Sequence, residues 1–143
     1  MSIRNDITNN IVALLGDQTD PKPIFVTREQ LDLENIARQQ FPAVVVRTGD
    51  ENRTEHTMQG ANGNRDAILN VVCQCYVTGA NIDLQLNDIA ERIEAVLEVD
   101  RSRGGVAYDT RLSTLEVDQT IDKRFGLITL NFEVEYIYKR GEA

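Results

Sequence analysis

Apolar residues recur at Ile3, Ile7, Ile11, Leu14 and Leu15, a spacing that predicts a one-faced helix, with Ser2 able to cap its start and Gly16 placed to end it. Pro21 and Pro23 break that pattern and extend the chain into Ile24-Phe25-Val26, a linker or edge segment. Thr27 with Gln30 three residues on has the form of a capping box. Leu31, Leu33 and Ile36 then give a second, weaker helical pattern that stops at Pro42. The stretch from Ile24 to Gln40 also fits an edge strand that pairs with a neighbouring subunit.

Ala43-Val44-Val45-Val46 is a short β-branched run, and Ala67 to Val77 is rich enough in Val, Ile and Leu for a longer strand that pairs with it. Between them, Arg47 to Asp66 carries Gly49, Gly60 and Gly63 with Asn52, Asn62 and Asn64 and almost no large apolar side chain, so a long loop is predicted at 47–66, either a binding arm or disordered. After Gly79 and the candidate cap Asn81, the stripe Ile82, Leu86, Ile89, Ala90, Ile93, Val96 and Leu97 predicts a helix. Its outer face holds Asp83, Asp88, Glu91, Glu94 and Glu98 against Arg92, which makes it a solvated face or one that meets a basic partner. Gly104-Gly105 reset the chain for a strand over Val106 to Val117. Leu127 to Tyr138 alternates strictly, with Ile128, Leu130, Phe132, Val134, Tyr136 and Tyr138 on one face and Thr129, Asn131, Glu133 and Glu135 on the other. The order of elements suits an α+β fold, an antiparallel four-stranded sheet with helices packed on one face, as a single domain over residues 1–143.

Leu, Ile, Val and Phe together number 41 of 143 residues, enough to bury a core. The longest apolar run, Ile11 to Leu15, is far short of a membrane span, and Met1 to Asn10 is too polar for a secretory signal, so a cytosolic, non-membrane protein is expected. Fifteen basic against 23 acidic residues give a net charge of −8, which argues against attraction to nucleic acid or anionic lipid. Twelve of the 15 basic residues are Arg, a bias toward the side chain that makes planar, weakly hydrated contacts at protein interfaces.

No catalytic, cofactor-binding or metal-binding constellation emerges. Cys73 and Cys75 lie two apart on a strand, badly placed for a disulfide, and with one His in the chain they are too few for a metal; they read as small core residues. His56 sits beside Glu55 with no nucleophile motif near it. Gly60-Ala61-Asn62-Gly63-Asn64-Arg65 lacks the Lys-Ser/Thr of a P-loop and the third glycine of a dinucleotide fingerprint. The carboxylates Asp88, Glu91 and Glu94 fit a divalent-cation hydrolase only weakly. Glu133 and Glu135 are either solvated or covered by an Arg-bearing subunit.

Phe41-Pro42-Ala43-Val44-Val45-Val46, Asp50-Glu51-Asn52-Arg53, the stretch Ala67 to Val77, Ile93-Glu94-Ala95-Val96-Leu97 and Tyr136-Ile137-Tyr138-Lys139-Arg140-Gly141 together resemble the tail terminator proteins of tailed bacteriophages. The resemblance is one of pattern and element order over about Ile24 to Gly141, with no signature motif. It implies a small α+β subunit without an active site, made in the host cytoplasm and carried in the virion tail or neck. Such a subunit forms a homo-oligomeric ring, a hexamer, on the tail tube protein. The ring ends tail polymerisation and meets a neck or connector protein, with a sheath protein as a further partner and DNA only as passing cargo. Arg47, Glu51, Arg53, Glu133 and Glu135 are the residues expected at inter-subunit or partner contacts. The competing expectation is a ferredoxin-like oligomeric module that binds a small ligand or regulates.

Overall fold

The computed structural model describes residues 3–18, 24–29, 42–55, 64–79, 81–105, 107–122 and 125–139. In chain order these form α1 (Ile3–Gly16), β1 (Phe25–Thr27), β2 (Ala43–Glu55), β3 (Asn64–Thr78), α2 (Ile82–Val99), β4 (Asp109–Asp122) and β5 (Phe125–Lys139). One sheet holds all five strands in the order β1-β2-β3-β5-β4. The fold is α+β, but the expected antiparallel four-stranded sheet is overturned: there are five strands, and β1 pairs with β2 in parallel. A parallel neighbour needs a crossover of a dozen or more residues, and residues 28–42 supply that length. Among the described residues the element order departs from the βαββαβ of a ferredoxin-like module.

β3 and β5 pair along their whole length, from Asn64↔Lys139 to Thr78↔Phe125, and form the spine of the sheet. Their alternation sets one face apolar: Leu69, Val71, Cys73 and Cys75 on β3, and Ile128, Leu130, Phe132 and Val134 on β5, are all at most 2% exposed. Both helices cover this face, α1 through Ile7, Ile11 and Leu15 and α2 through Leu86, Ile89, Ile93 and Leu97. Each such side chain contributes about 1.5–3 kcal/mol on burial. Gly126 admits α2 to the sheet, because a Cβ there would lie 2.4 Å from Ile82 Cγ2.

The predicted loop at 47–66 is mostly strand. β2 runs on to Glu55 and β3 begins at Asn64, so the two strands pair antiparallel through this stretch, while residues 56–63, with His56 and Gly60 to Gly63, lie outside the described residues. Polar composition concealed the strand, since β2 beyond Val46 carries no apolar alternation. β2 also contains a bulge: Gly49 and Asp50 together face Asn70 of β3, between the pairs Thr48↔Val71 and Glu51↔Leu69. Glycine is needed at 49, where a Cβ would approach the Asn70 carbonyl oxygen to 2.9 Å. β4 has a matching bulge at Ser113, between Leu112↔Phe132 and Thr114↔Asn131.

Other boundaries shift modestly. The strand expected over Val106 to Val117 begins at Asp109 and continues to Asp122. The helix expected after Thr27, with Leu31, Leu33 and Ile36, falls outside the described residues, as does Ser2. Asn81 starts α2, but through its backbone: it is left-handed (φ 57°), makes no side-chain cap bond, and its carbonyl accepts Gln85 N–H at 3.0 Å.

The end of α2 is closed by Arg103, a residue 1% exposed and held at φ 53°. Its guanidinium donates to the carbonyls of Leu97 (2.7 Å) and Asp100 and to Asn10 Oδ1 of α1 (3.2 Å). A cation thereby satisfies helix-terminal carbonyls and meets the negative end of the helix dipole. Asp100 in turn accepts the N–H groups of Ser102 and Gly104, each at 3.0 Å. A second lock joins α1 to β1 and β2. Arg28 donates to Thr48 Oγ1 (3.3 Å), and Thr48 and Thr8 hydroxyls lie 2.7 Å apart. Because Thr8 spends its proton on the Arg4 carbonyl (3.0 Å), Thr48 is the donor in that pair.

Candidate functional site

The second sheet face has no helix on it among the described residues. Ile68, Asn70, Val72, Gln74 and Tyr76 of β3, and Thr129, Asn131, Glu133, Glu135 and Ile137 of β5, all remain half-buried there. The two bulges lie at nearly the same level of the sheet and flank a shallow depression lined by Gly49, Asp50, Asn70, Ser113, Thr114 and Asn131. Asn131 Nδ2 donates to Thr114 Oγ1 across it at 2.8 Å. Amides and hydroxyls dominate this floor, which can bind by hydrogen bonding but presents no nucleophile–base pair.

Arg47 lies on this face, exposed, at a position that pairs with Val72. Glu133 and Glu135 lie on it too, and Arg111 of β4 grips both: Nε is 3.2 Å from Glu133 Oε1 and Nη1 is 3.1 Å from Glu135 Oε1. The hydrogen bond to Glu135 is the main reason the Arg111 pKa rises above its ordinary value. All three side chains are about a third exposed (31–37%), so each pair contributes at most about 1 kcal/mol. The Arg-bearing partner expected for these carboxylates is therefore supplied, in part, by the chain's own neighbouring strand.

Glu51 and Arg53 lie on the opposite face, the one that carries the helices, at positions that pair with Leu69 and Ala67. The bulge puts them there, because unbroken alternation from Thr48 would instead carry Asp50 and Asn52 to the core side. The Glu51 carboxylate, with 6% of its side chain exposed, accepts from the Tyr136 hydroxyl and from Arg53 Nε. Arg53 spreads over the Tyr138 ring, 4.7 Å from its centroid, and the two tyrosine rings are 5.8 Å apart. Burial, followed by the bond to Glu51, raises the Tyr136 phenol pKa, and the same carboxylate raises that of Arg53. The Tyr138 hydroxyl is buried without a hydrogen-bond partner among the described residues. The five expected contact residues are thus divided: Arg47, Glu133 and Glu135 share the open face, whereas Glu51 and Arg53 build an internal cluster that stiffens the far end of the hairpin.

Arg111, Tyr136 and Tyr138 are the members of these groups that sequence reasoning missed as such. Tyr136 and Tyr138 were legible as inward residues, but nothing in the sequence links them to Glu51 across 85 positions. Cys73 and Cys75 are fully buried core residues, and desolvation pushes the Cys73 thiol up to about 12 and raises Cys75 as well. Asp88, Glu91 and Glu94 are exposed on α2. Among the described residues no group of three or more His, Cys, Asp or Glu is arranged to hold a metal ion, and no helix is long and apolar enough to cross a membrane.

What the fold and surface define is an α+β sheet protein backed by helices on one side and offering a broad polar sheet face on the other. No family model matches the chain, and no curated protein matches it. Among solved structures it is similar to a chain from the virion of a native gene transfer agent particle, with 11% sequence identity, 94% of each chain covered and a TM-score of 0.52. At that identity the likeness is one of fold.

Proposed function

We propose that this chain is a virion structural protein that closes as a homo-oligomeric ring, with six subunits, on the end of a phage tail tube. There it ends tube polymerisation and joins the tail to the neck or head connector. The observation that carries the reading is the fold shared end to end with a chain of a gene transfer agent virion, 94% of both chains being covered. The tail-end role itself comes from the sequence resemblance to tail terminators. In this reading the protein is not an enzyme and works without a cofactor. Its partners are its own copies, the tube protein, a neck or connector protein and a sheath protein, and the net charge of −8 keeps DNA passing through the ring from adhering. A ring built from heterologous contacts leaves no free end, which is what stopping growth requires.

Negative-stain electron microscopy over a concentration series, with light scattering on the same samples, tests this. The expected result is a closed ring with an axial hole, and tubes of shorter length when the protein is added to polymerising tube subunits. Two-fold dimers at every concentration, with tube length unchanged, would overturn it.

A further inference from the structure

A second concavity opens toward the end of β5, on the sheet face that carries no helix among the described residues. Asn52 of β2, Ile68 of β3 and Glu135 of β5 stand in one row there, through the pairs Asn52↔Ile68 and Ile68↔Glu135, and Asp66 follows on the same face of β3. Together with Tyr108, just ahead of β4, they line a cavity of about 170 Å³. At about 30 Å³ per water that is room for about six waters, or for the head and outer methylenes of one long side chain. Its mouth is open: Asn52 is exposed, Tyr108 is 63% exposed, and the Glu135 side chain is 37% exposed. Both walls are fixed, since the Tyr108 N–H donates to the Glu135 carbonyl at 2.7 Å and Arg111 Nη1 holds the Glu135 carboxylate at 3.1 Å.

The chemistry of these walls selects a guest. Arg111 serves both Glu133 and Glu135, and Arg101 serves both Glu98 and Asp109, the next member of the row, so in each cluster two carboxylates stand against one guanidinium. An anion is repelled from such a rim and a cation is drawn to it. The exposed Tyr108 ring and the Ile68 side chain narrow the choice further. A compact, strongly hydrated ammonium gains little from an apolar wall, whereas a planar, weakly hydrated guanidinium stacks on an aromatic face while its edge meets a carboxylate. We infer that this cavity receives the guanidinium of an arginine from the next copy of this chain, stacked on Tyr108 and hydrogen-bonded to Glu135.

A second copy is the donor that the composition favours, because 12 of the 15 basic residues are arginine. Arg4 on α1 and Arg28 beside that helix stand exposed on the helix side of the sheet, away from the cavity. A contact between the cavity of one copy and the helix side of the next is heterologous, the type that generates rings or filaments. The inference rests on the ring reading for its donor and not for the cavity.

Two measurements on the full chain test it. In the first, N-acetyl-arginine methylamide is titrated into dilute ¹⁵N-labelled protein, with N-acetyl-citrulline methylamide as its neutral isostere. The arginine probe is expected to shift the amides of Ile68, Tyr108 and Glu135 and to bind at least tenfold tighter than citrulline. Y108A and E135Q, both at exposed positions, should each weaken it at least fivefold, and Y108F, which keeps the ring, should stay within twofold of the parent. Equal response to the two probes, shifts as large along the acidic face of α2, or an unchanged response in Y108A would each overturn the cavity's assignment. In the second, sedimentation of the same proteins reads self-association, which Y108A and E135Q are expected to lower at least tenfold and Y108F to leave unchanged. Probe binding without that loss, or a chain monomeric at every concentration, would overturn the second copy as donor. Loss of association in variants of a parent that forms open filaments and no rings would uphold the contact and sink the ring reading.

Discussion

Replacing Arg103 separates what its guanidinium contributes from what its stem contributes. R103M keeps most of the apolar stem but leaves the Leu97 and Asp100 carbonyls and Asn10 Oδ1 without their donor. A buried carbonyl stripped of its partner costs about 1–3 kcal/mol, and the partly exposed Asn10 contact less. Two effects oppose the loss. Burial of the guanidinium has already lowered its pKa by desolvation, and its Nε finds no partner among the described residues, so methionine relieves a standing penalty. The net expectation is a loss of about 2 kcal/mol for R103M and about 3–4 kcal/mol for R103A, which adds a cavity. R103G escapes the strain of φ 53° and should be less damaging than R103A by about 1 kcal/mol. In urea, at a slope of roughly 2 kcal/mol/M, R103M should move the midpoint down by about 1 M. Amide hydrogen exchange in R103M should speed up first at the end of α2 and the facing part of α1. An R103M midpoint within about 0.2 M of the parent would refute the claim that this side chain closes the helix.

Two further outcomes follow from the pKa directions. With the Cys73 thiol pushed up to about 12, roughly one molecule in ten thousand is thiolate at pH 8, so native labelling by Ellman's reagent should be at least ~10³-fold slower than in denaturant, and burst labelling would show the core to be open. The hydrogen bonds from Ser102, hydroxyl first, and from the N–H of Gly104 hold the Asp100 carboxyl below its usual range. A depressed folded pKa means stability that is complete above the unfolded value of about 3.9 and is lost as pH falls through the folded one. Thermal midpoints between pH 6 and pH 2 should therefore fall less steeply for D100N than for the parent, and parallel acid limbs would contradict the assignment.

How far the sequence could be read depended on where each element is buried. β5 was legible because it is central, with one face in the core and one not, and Glu133 and Glu135 fell on the open side as its alternation requires. α2 was legible for the same reason in helical period. The far half of β2 was not. Its faces carry Thr48, Glu51 and Arg53 on one side and Arg47, Asp50 and Asn52 on the other, and its glycine signals a bulge as readily as a loop. β1 is three residues long, and only its tertiary partner makes it a strand. The internal cluster of Glu51, Arg53, Tyr136 and Tyr138 and the Arg111 clasp on Glu133 and Glu135 depend on strand register, which a single sequence does not carry. Arg103 reads as an ordinary loop arginine until the end of α2 is seen to wrap around it.

The paired bulges have a consequence for how this chain tolerates change in length. In a regular strand, losing one residue rotates every later side chain to the wrong side. At Gly49–Asp50 and at Ser113 the opposite holds: removing one residue turns two-against-one into one-against-one and leaves Glu51, Arg53, Leu112 and Thr110 on their present sides. These two points act as hyphens in the text of the sheet, where a letter can be dropped without changing the sense of the line. Related chains that differ by single-residue gaps within β2 or β4 would carry them there, and these two strands would gain or lose their curvature without exchanging the polar face for the apolar one.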